Sequence, residues 1–201
     1  SQNLAAALPN IENAVSLEEL RGLEGAAAQQ YFDGFDSLIL QQHDTFAFAG
    51  RNRRPPLDPI NALLSFSYTL LARDCAAALE GVGLDPYVGF LHRPRPGRAS
   101  LALDMMEELR AVYADRFVLT CVNQKMITGK HFQKQENGAV LLTDDARRAF
   151  LKAWQQRKQQ TIQHPFLGEK IAWGLVPAVQ ALLLARTLRG DMERYPPFFW
   201  K

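Results

Sequence analysis

The sequence predicts a mainly α fold, a multi-helix domain carrying one short β-hairpin, and three observations predict it. Helix-start chemistry recurs along the chain: Ser16 with Glu19 three residues on, Asp58 followed by Pro59, Ser100, and Thr143. Apolar residues after these starts fall at helical spacing, as in Met105, Met106, Leu109 and Val112. One stretch departs from the pattern: "KHFQKQENGAVLLT" places Asn137-Gly138 between alternating residues, the signature of two short strands and a tight turn.

Taken in order, the first fifteen residues read as a short helix, "NLAAAL", interrupted at Pro9, and then a linker. Ser16 caps a helix running to about Gln42. The loop "GRNRRPPLDP" follows, and Asp58-Pro59 opens the apolar helix "INALLSFSYTLLARDCAAALEG", closed by Gly81 and Gly83. Its near all-round hydrophobicity predicts burial at the centre. A helix capped by Ser100 runs from about Leu101, and another spans about Phe117 to Met126. After the hairpin, Thr143 begins a polar, basic helix. The last helical region covers about Gly168 to Arg189 with a break or kink at Pro177, and the main domain, residues 16–195, ends before the aromatic tail 196–201, "PPFFWK". For that tail, docking elsewhere and folding back on the core both stand open.

A chain of 201 residues, 47% hydrophobic and 10% aromatic, can bury one sizeable core. Its 23 basic and 21 acidic side chains nearly cancel, so a nucleic-acid partner must be argued from where charges lie rather than from net charge. Cys75 and Cys121 form no CxxC pair, give no zinc signature and suit a reducing cytoplasm as core thiols. No signal peptide is evident, and no apolar run is read as reaching the roughly 18 residues of a membrane span, so a cytoplasmic protein without a membrane partner is expected.

Chemistry concentrates between Gly89 and Arg110, "GFLHRPRPGRASLALDMMEELR". Upstream, Leu17, Leu20, Ala27, Tyr31, Phe35 and Leu38 mark a helical stripe in which Glu24 holds the missing position, so a carboxylate points inward. Either it has a cation or proton as partner, or it tilts to solvent or pairs with Arg21. Asp104 and Glu107 share a helix face, though acids early in a helix are common and Glu108 can replace either. His92 alone reads as a surface or structural imidazole more readily than as a ligand. Together, an inward glutamate, a loop histidine and a helical acid make a hard-oxygen and imidazole set suited to Mn²⁺ or Mg²⁺. Arg93, Arg95 and Arg98 beside it offer planar forks for phosphate oxygens, or form a solvated basic loop. Arg51, Arg53 and Arg54 either extend that phosphate track or are solvated. His43, His131 and His164 lack ligand-spaced partners.

The segments "LEELRGLEGAAAQQYF", "DPINALLSFSYTLLARDCAAALEGVGLDPYVGFLH" and "GRASLALDMMEELR" resemble the CRISPR-associated integrase/endonuclease of spacer acquisition, the Cas-one family, over nearly the whole chain. The resemblance implies a metal site of Glu24, His92 and Glu107 in the family's C-terminal helical catalytic domain, with Asp104 as an accessory acid. It also implies that the family's N-terminal β-rich domain, which makes much of its homodimer, is absent from this chain. Residues 1–15 would then be the linker from that domain, and activity of this region alone would be weak.

The activity so implied is prokaryotic CRISPR adaptation. A 3′-hydroxyl of captured DNA attacks a phosphodiester at the edge of a CRISPR repeat, joining the two by transesterification with a Mn or Mg ion as Lewis acid. The partners implied are double-stranded DNA, a second copy of the full-length chain, and the small second adaptation subunit, with a nuclease that trims captured DNA as a further candidate. His92 must ligate as a neutral ring whose other nitrogen is held by an acceptor the sequence does not name. Two readings compete: a purely hydrolytic metal-dependent nuclease, and a non-catalytic helical DNA-binding or assembly module whose acids only cap helices.

Overall fold

The computed structural model describes residues 8–200. It is mainly helical, with two small antiparallel hairpins. The helices are α1 Leu8–Glu12, α2 Leu17–Asp33, α3 His43–Phe46, α4 Pro59–Gly81, α5 Ser100–Leu109, α6 Arg116–Asn123, α7 Asp144–Gln159 and α8 Val176–Leu188. Apart from Leu8, the expected "NLAAAL" helix lies outside the described residues. The described helical turn Leu8–Glu12 has Pro9 as its second residue, where its missing N–H costs no helical bond.

The centre is α4. Asp58 caps it by accepting from the Asn61 N–H at 2.8 Å, Pro59 occupies its first turn, and Gly83, at φ +81, turns the chain away after Gly81. By length and composition α4 could cross a membrane, contrary to the expectation that no run would qualify. Here it is the core helix: Ile60, Leu63, Leu64, Leu71, Cys75 and Leu79 are fully buried, and α5, α6, α8 and the first hairpin pack around it. Burying each such aliphatic side chain stabilises the fold by about 1.5–3 kcal/mol.

α2 is shorter than the sequence suggested. It stops at Asp33, and Gly34 leads into a 3₁₀ turn, Phe35–Leu38, that drives Phe35 into an aromatic cluster with Phe32 and Phe48. Ser16 caps it as expected, accepting from the Glu19 N–H, while Glu19 reaches back to the Val15 N–H. Ser100 is not a cap. It is the first residue of α5, fully buried, and its hydroxyl donates to the carbonyls of Arg93 and Arg98. α5 and α6 are continuous through a π-helical segment, Arg110–Asp115, where the sequence suggested two separate helices.

The first hairpin pairs β1 Phe132–Lys134 with β2 Val140–Leu142, and Gly138 takes the positive φ its turn requires. A second hairpin was not expected. β3 Thr161–Gln163 pairs with β4 Lys170–Ala172 across the loop "HPFLGE", so β4 occupies the start of the region, from about Gly168, read as the last helix. Pro177 does not kink that helix, because α8 begins at Val176 and Pro177 sits in its first turn, where no backbone N–H is missed. Trp173, just after β4, stacks on Tyr113 with ring centroids 5.0 Å apart and joins Trp154 and Phe117 in the core.

The second hairpin's loop is held by His164, which is fully buried. Its Nδ1 accepts from the N–H groups of Phe166 and Leu167 at 3.3 Å, so Nε2 carries the proton and donates to Gln180 Oε1 at 3.1 Å. The ring must therefore be neutral, and burial holds its pKa below the usual imidazole range while the Gln180 bond opposes that shift. A histidine so depressed stabilises the fold fully above its unfolded pKa of about 6.5, and this contribution is lost as pH falls through the folded value. The urea midpoint is expected to decline as pH drops below about 6.5. His164→Gln should flatten that part of the slope; an identical slope in the variant would refute the assignment.

The aromatic tail folds back on the core. Phe198 is buried, Trp200 packs edge-on to Trp173 beneath the Arg116 guanidinium, and Phe199 is exposed.

Candidate metal and DNA site

Glu24 stands midway along α2. The stripe argument for it was too strong, because Leu17 and Leu38 are exposed and Phe32 is the buried residue of this helix. Glu24 is half-buried, yet it lines an open cleft with Arg21, Leu91, His92, Arg93, Arg95 and Arg98. Among the described residues it makes no hydrogen bond or ion pair. Arg21 is engaged elsewhere: its Nε donates to the Leu91 carbonyl at 2.6 Å, and Nη1 pairs with Glu18.

His92 is held by Asp104. The Asp104 carboxylate takes four hydrogen bonds: Oδ2 accepts from the N–H groups of Phe90 and Leu91, at 2.5 and 3.0 Å. Oδ1 accepts from the His92 N–H at 2.9 Å and faces His92 Nδ1 at 2.6 Å. An ionised carboxylate only accepts, so Nδ1 carries the proton and the Nε2 lone pair is left for another partner. Asp104 is thus the acceptor the sequence left unnamed. Gly89 allows the approach: a Cβ there would lie 2.7 Å from Asp104 Oδ2 and 2.8 Å from the Ser100 carbonyl carbon.

Three acids of α5 have three tasks. Asp104 holds the histidine loop. Glu107, partly exposed, is clasped by Arg110, whose Nη1 lies 2.9 and 2.7 Å from its two oxygens. Burial raises the Glu107 pKa above the usual carboxylate range, Arg110 pulls it down, and the nearby charge of Glu24 raises it further. Glu108 turns the other way and accepts from the Tyr195 hydroxyl, Gln180 Nε2 and the Phe198 N–H, anchoring the tail. It does not substitute for Glu107.

The arginines divide. Arg95 and Arg98 flank the turn at Gly97 and line the cleft without an ion pair among the described residues. Arg93 also lines it, but is paired with Glu18. Arg53 and Arg54 are exposed, and Arg53 lies near enough to Glu107 to lower its pKa. Arg51 belongs to neither expected class. It is turned inward, donating to Asn52 O, Asn61 Oδ1 and Ser65 Oγ and lying over the Tyr68 ring.

Among the described residues, no three His, Cys, Asp or Glu side chains stand together as a ready-made metal cluster. The donor set nonetheless fits a hard divalent ion in kind: an unpaired carboxylate, an imidazole whose free nitrogen is fixed by Asp104, and a second carboxylate electrostatically coupled to both. Sequence reasoning missed Asp115. It is fully buried and accepts from the hydroxyls of Tyr31 (2.9 Å) and Tyr68 (2.6 Å); no spacing rule links residues 84 and 47 positions apart.

A sequence profile described as "CRISPR associated protein Cas1" matches residues 1–156. A Rhodospirillum rubrum protein named CRISPR-associated endonuclease Cas1 2 is 59% identical over 189 residues, covering 94% of this chain and 55% of the relative. Among solved structures, a casposase bound to integration product superposes with a TM-score of 0.87 at 26% identity, covering 98% of this chain and 55% of that one. A chain of a partial Cas6-RT-Cas1–Cas2 complex superposes at 0.82 with 27% identity, covering 100% and 58%. The chain spans about half the length of these relatives. On the strength of the profile match, which covers more than half of the chain, it belongs to the Cas1 family of CRISPR-associated proteins.

Proposed function

We propose that this chain is the catalytic lobe of a metal-dependent DNA integrase/endonuclease that joins a 3′-hydroxyl end of captured DNA to a CRISPR repeat by transesterification. The observation that carries this reading is the cleft in which Glu24, Arg95 and Arg98 meet a histidine whose tautomer is set by Asp104. In the reaction the attacking 3′-oxygen forms a new bond to phosphorus and loses its proton. The departing 3′-oxygen takes up a proton as its bond breaks, so one ester replaces another. Glu24, His92 Nε2 and Glu107 would hold a Mn or Mg ion, which supplies Lewis acidity at the phosphodiester when bound. Asp104 keeps the proton on Nδ1, and Arg110 balances the Glu107 charge until its carboxylate is engaged. Arg95 and Arg98 seat the phosphate backbone.

The casposase likeness supports integration, and the relatives named endonucleases support cleavage by the same site with water as nucleophile. The likeness to a chain from a complex holding Cas2 supports a small second subunit as partner. Pairing with a second copy through the family's β-rich domain rests on the family resemblance.

The arginines provide the test. Arg95→Ala and Arg98→Ala should each weaken duplex binding almost regardless of sequence and reduce the slope of log affinity against log salt by about one. Arg51→Ala should leave that slope unchanged and lower the urea midpoint instead, because its guanidinium is spent on Asn61, Ser65 and Tyr68. Fluorescence anisotropy over a salt series decides it: unchanged slopes for Arg95 and Arg98 would leave their loop as solvated surface.

A further inference from the structure

We propose that Asp115 is a positioning residue for the site: through the hydroxyls of Tyr31 and Tyr68 it fixes the helix bearing Glu24 against the helix bearing Glu107. The proposal rests on the metal-site reading above and assigns a role to a buried acid that reading does not use.

The argument begins with α2, which is poorly anchored by packing, since Phe32 is its buried side chain. Among the described residues, the side-chain hydrogen bond and ion pair that carry its Glu24 end to another element run to the histidine loop, from Arg21 to Leu91 and from Glu18 to Arg93. Among the described residues, the hydrogen bond that joins α2 directly to the helical body is Tyr31 to Asp115. Tyr31 follows Glu24 by seven residues, two helical turns, and so projects from the same face. Holding Tyr31 therefore sets both the rotation and the height of Glu24.

The other arm runs toward Glu107. Asp115 ends the π-helical segment that starts at Arg110, three residues beyond Glu107. Such segments shift the register of a helix and are frequent at functional sites. Asp115 accepts from Tyr68, and the Tyr68 ring lies under two guanidiniums, Arg51 at 5.3 Å and Arg110 at 6.0 Å. Arg110 in turn clasps Glu107. One buried carboxylate thus reaches both metal-holding acids, through Tyr31 and α2 on one side and through Tyr68 and Arg110 on the other.

The chemistry of the pair of hydroxyls fits this role. A fully buried carboxylate without partners would be costly, and here each oxygen takes one phenol O–H, giving a three-point tie with a fixed direction. Burial raises the Asp115 pKa, while Tyr68, Tyr31, Arg110 and Arg51 counter the shift. An apolar residue of similar size would fill the space without fixing either helix.

The test is Mn²⁺ affinity of the chain, read from the paramagnetic resonance signal of free Mn²⁺, with urea midpoints alongside. Tyr31→Phe and Tyr68→Phe keep the rings and remove the hydroxyls, and each should weaken Mn²⁺ binding by about ten-fold, as loss of supporting hydrogen bonds around metal ligands does. Asp115→Asn should match the double tyrosine variant, and adding Tyr31→Phe to it should cost little more, because the groups act as one unit. Tyr113→Phe is the control: its buried hydroxyl has no hydrogen-bond partner among the described residues, so Mn²⁺ affinity should not change. If Glu24→Gln abolishes Mn²⁺ binding while all Tyr31, Tyr68 and Asp115 variants stay within about two-fold of the parent, the positioning role is overturned and the metal site stands. If the parent and Glu24→Gln do not differ, the metal site falls and takes this role with it.

Discussion

Alanine at Glu24, His92 or Glu107 is expected to lower metal-dependent strand transfer by at least about a thousand-fold, roughly 4 kcal/mol of transition-state stabilisation. The assay follows joining of a labelled 3′-hydroxyl fragment to a repeat duplex. The effect should be catalytic rather than structural, and for different reasons at each position. Glu24 has no partner among the described residues, so its removal leaves no orphaned group. His92→Ala leaves Asp104 with three backbone N–H donors. Glu107→Ala deprives Arg110 of its carboxylate, a loss of about 1–3 kcal/mol for a group of which 15% is exposed, so Glu107→Gln is the better variant there. Circular dichroism checks that the helices persist. Joined product at near-parent yield from two of the three variants would remove this site from the mechanism, and loss of joining with retained nicking would favour a purely hydrolytic nuclease.

What the sequence could disclose follows from the reach of each interaction. Caps act over three residues, so Ser16, Asp58 and Thr143 mark true helix starts, and Asn137-Gly138 marks a true turn. Ser100 shows where that logic fails: its hydroxyl is drawn to carbonyls of the preceding loop instead of its own helix. The second hairpin was missed because Gly168 resembles a helix boundary, whereas the fold is fixed by His164, whose ring bonds depend on Gln180 sixteen residues away. Glu24 was chosen through a periodicity that the packing only partly honours, yet it does face the cleft with His92. Arg51 was misread because Asn61 and Ser65, its acceptors, lie on the next helix. Asp115 had no local signal at all, since its partners come from α2 and α4.

Asp104→Asn is the second change expected to have a large effect, although it alters one atom of the side chain. Each Asp104 oxygen serves two donors: Phe90 and Leu91 N–H on Oδ2, His92 N–H and Nδ1–H on Oδ1. Asparagine has one acceptor oxygen, so its amide N–H₂ must confront one of these pairs. Placed against Phe90 and Leu91, it sets donor against donor and opens the loop. Placed against His92, it offers a donor to Nδ1, which must become the acceptor, and the proton moves to Nε2, the nitrogen that the proposed metal site uses. Either outcome disables His92, so strand transfer should drop by about 10- to 100-fold and stability by about 1–3 kcal/mol. The crowding recorded at Gly89 predicts the same phenotype for Gly89→Ala, which drives a methyl group against the carboxylate and the Ser100 backbone. The discriminating measurement is the ring ¹⁵N spectrum of His92: the Nδ1–H tautomer in the parent and the Nε2–H tautomer or a mixture in Asp104→Asn. Unchanged tautomer together with unchanged joining would mean that Asp104 merely folds the loop, and that the orientation of the imidazole is set elsewhere.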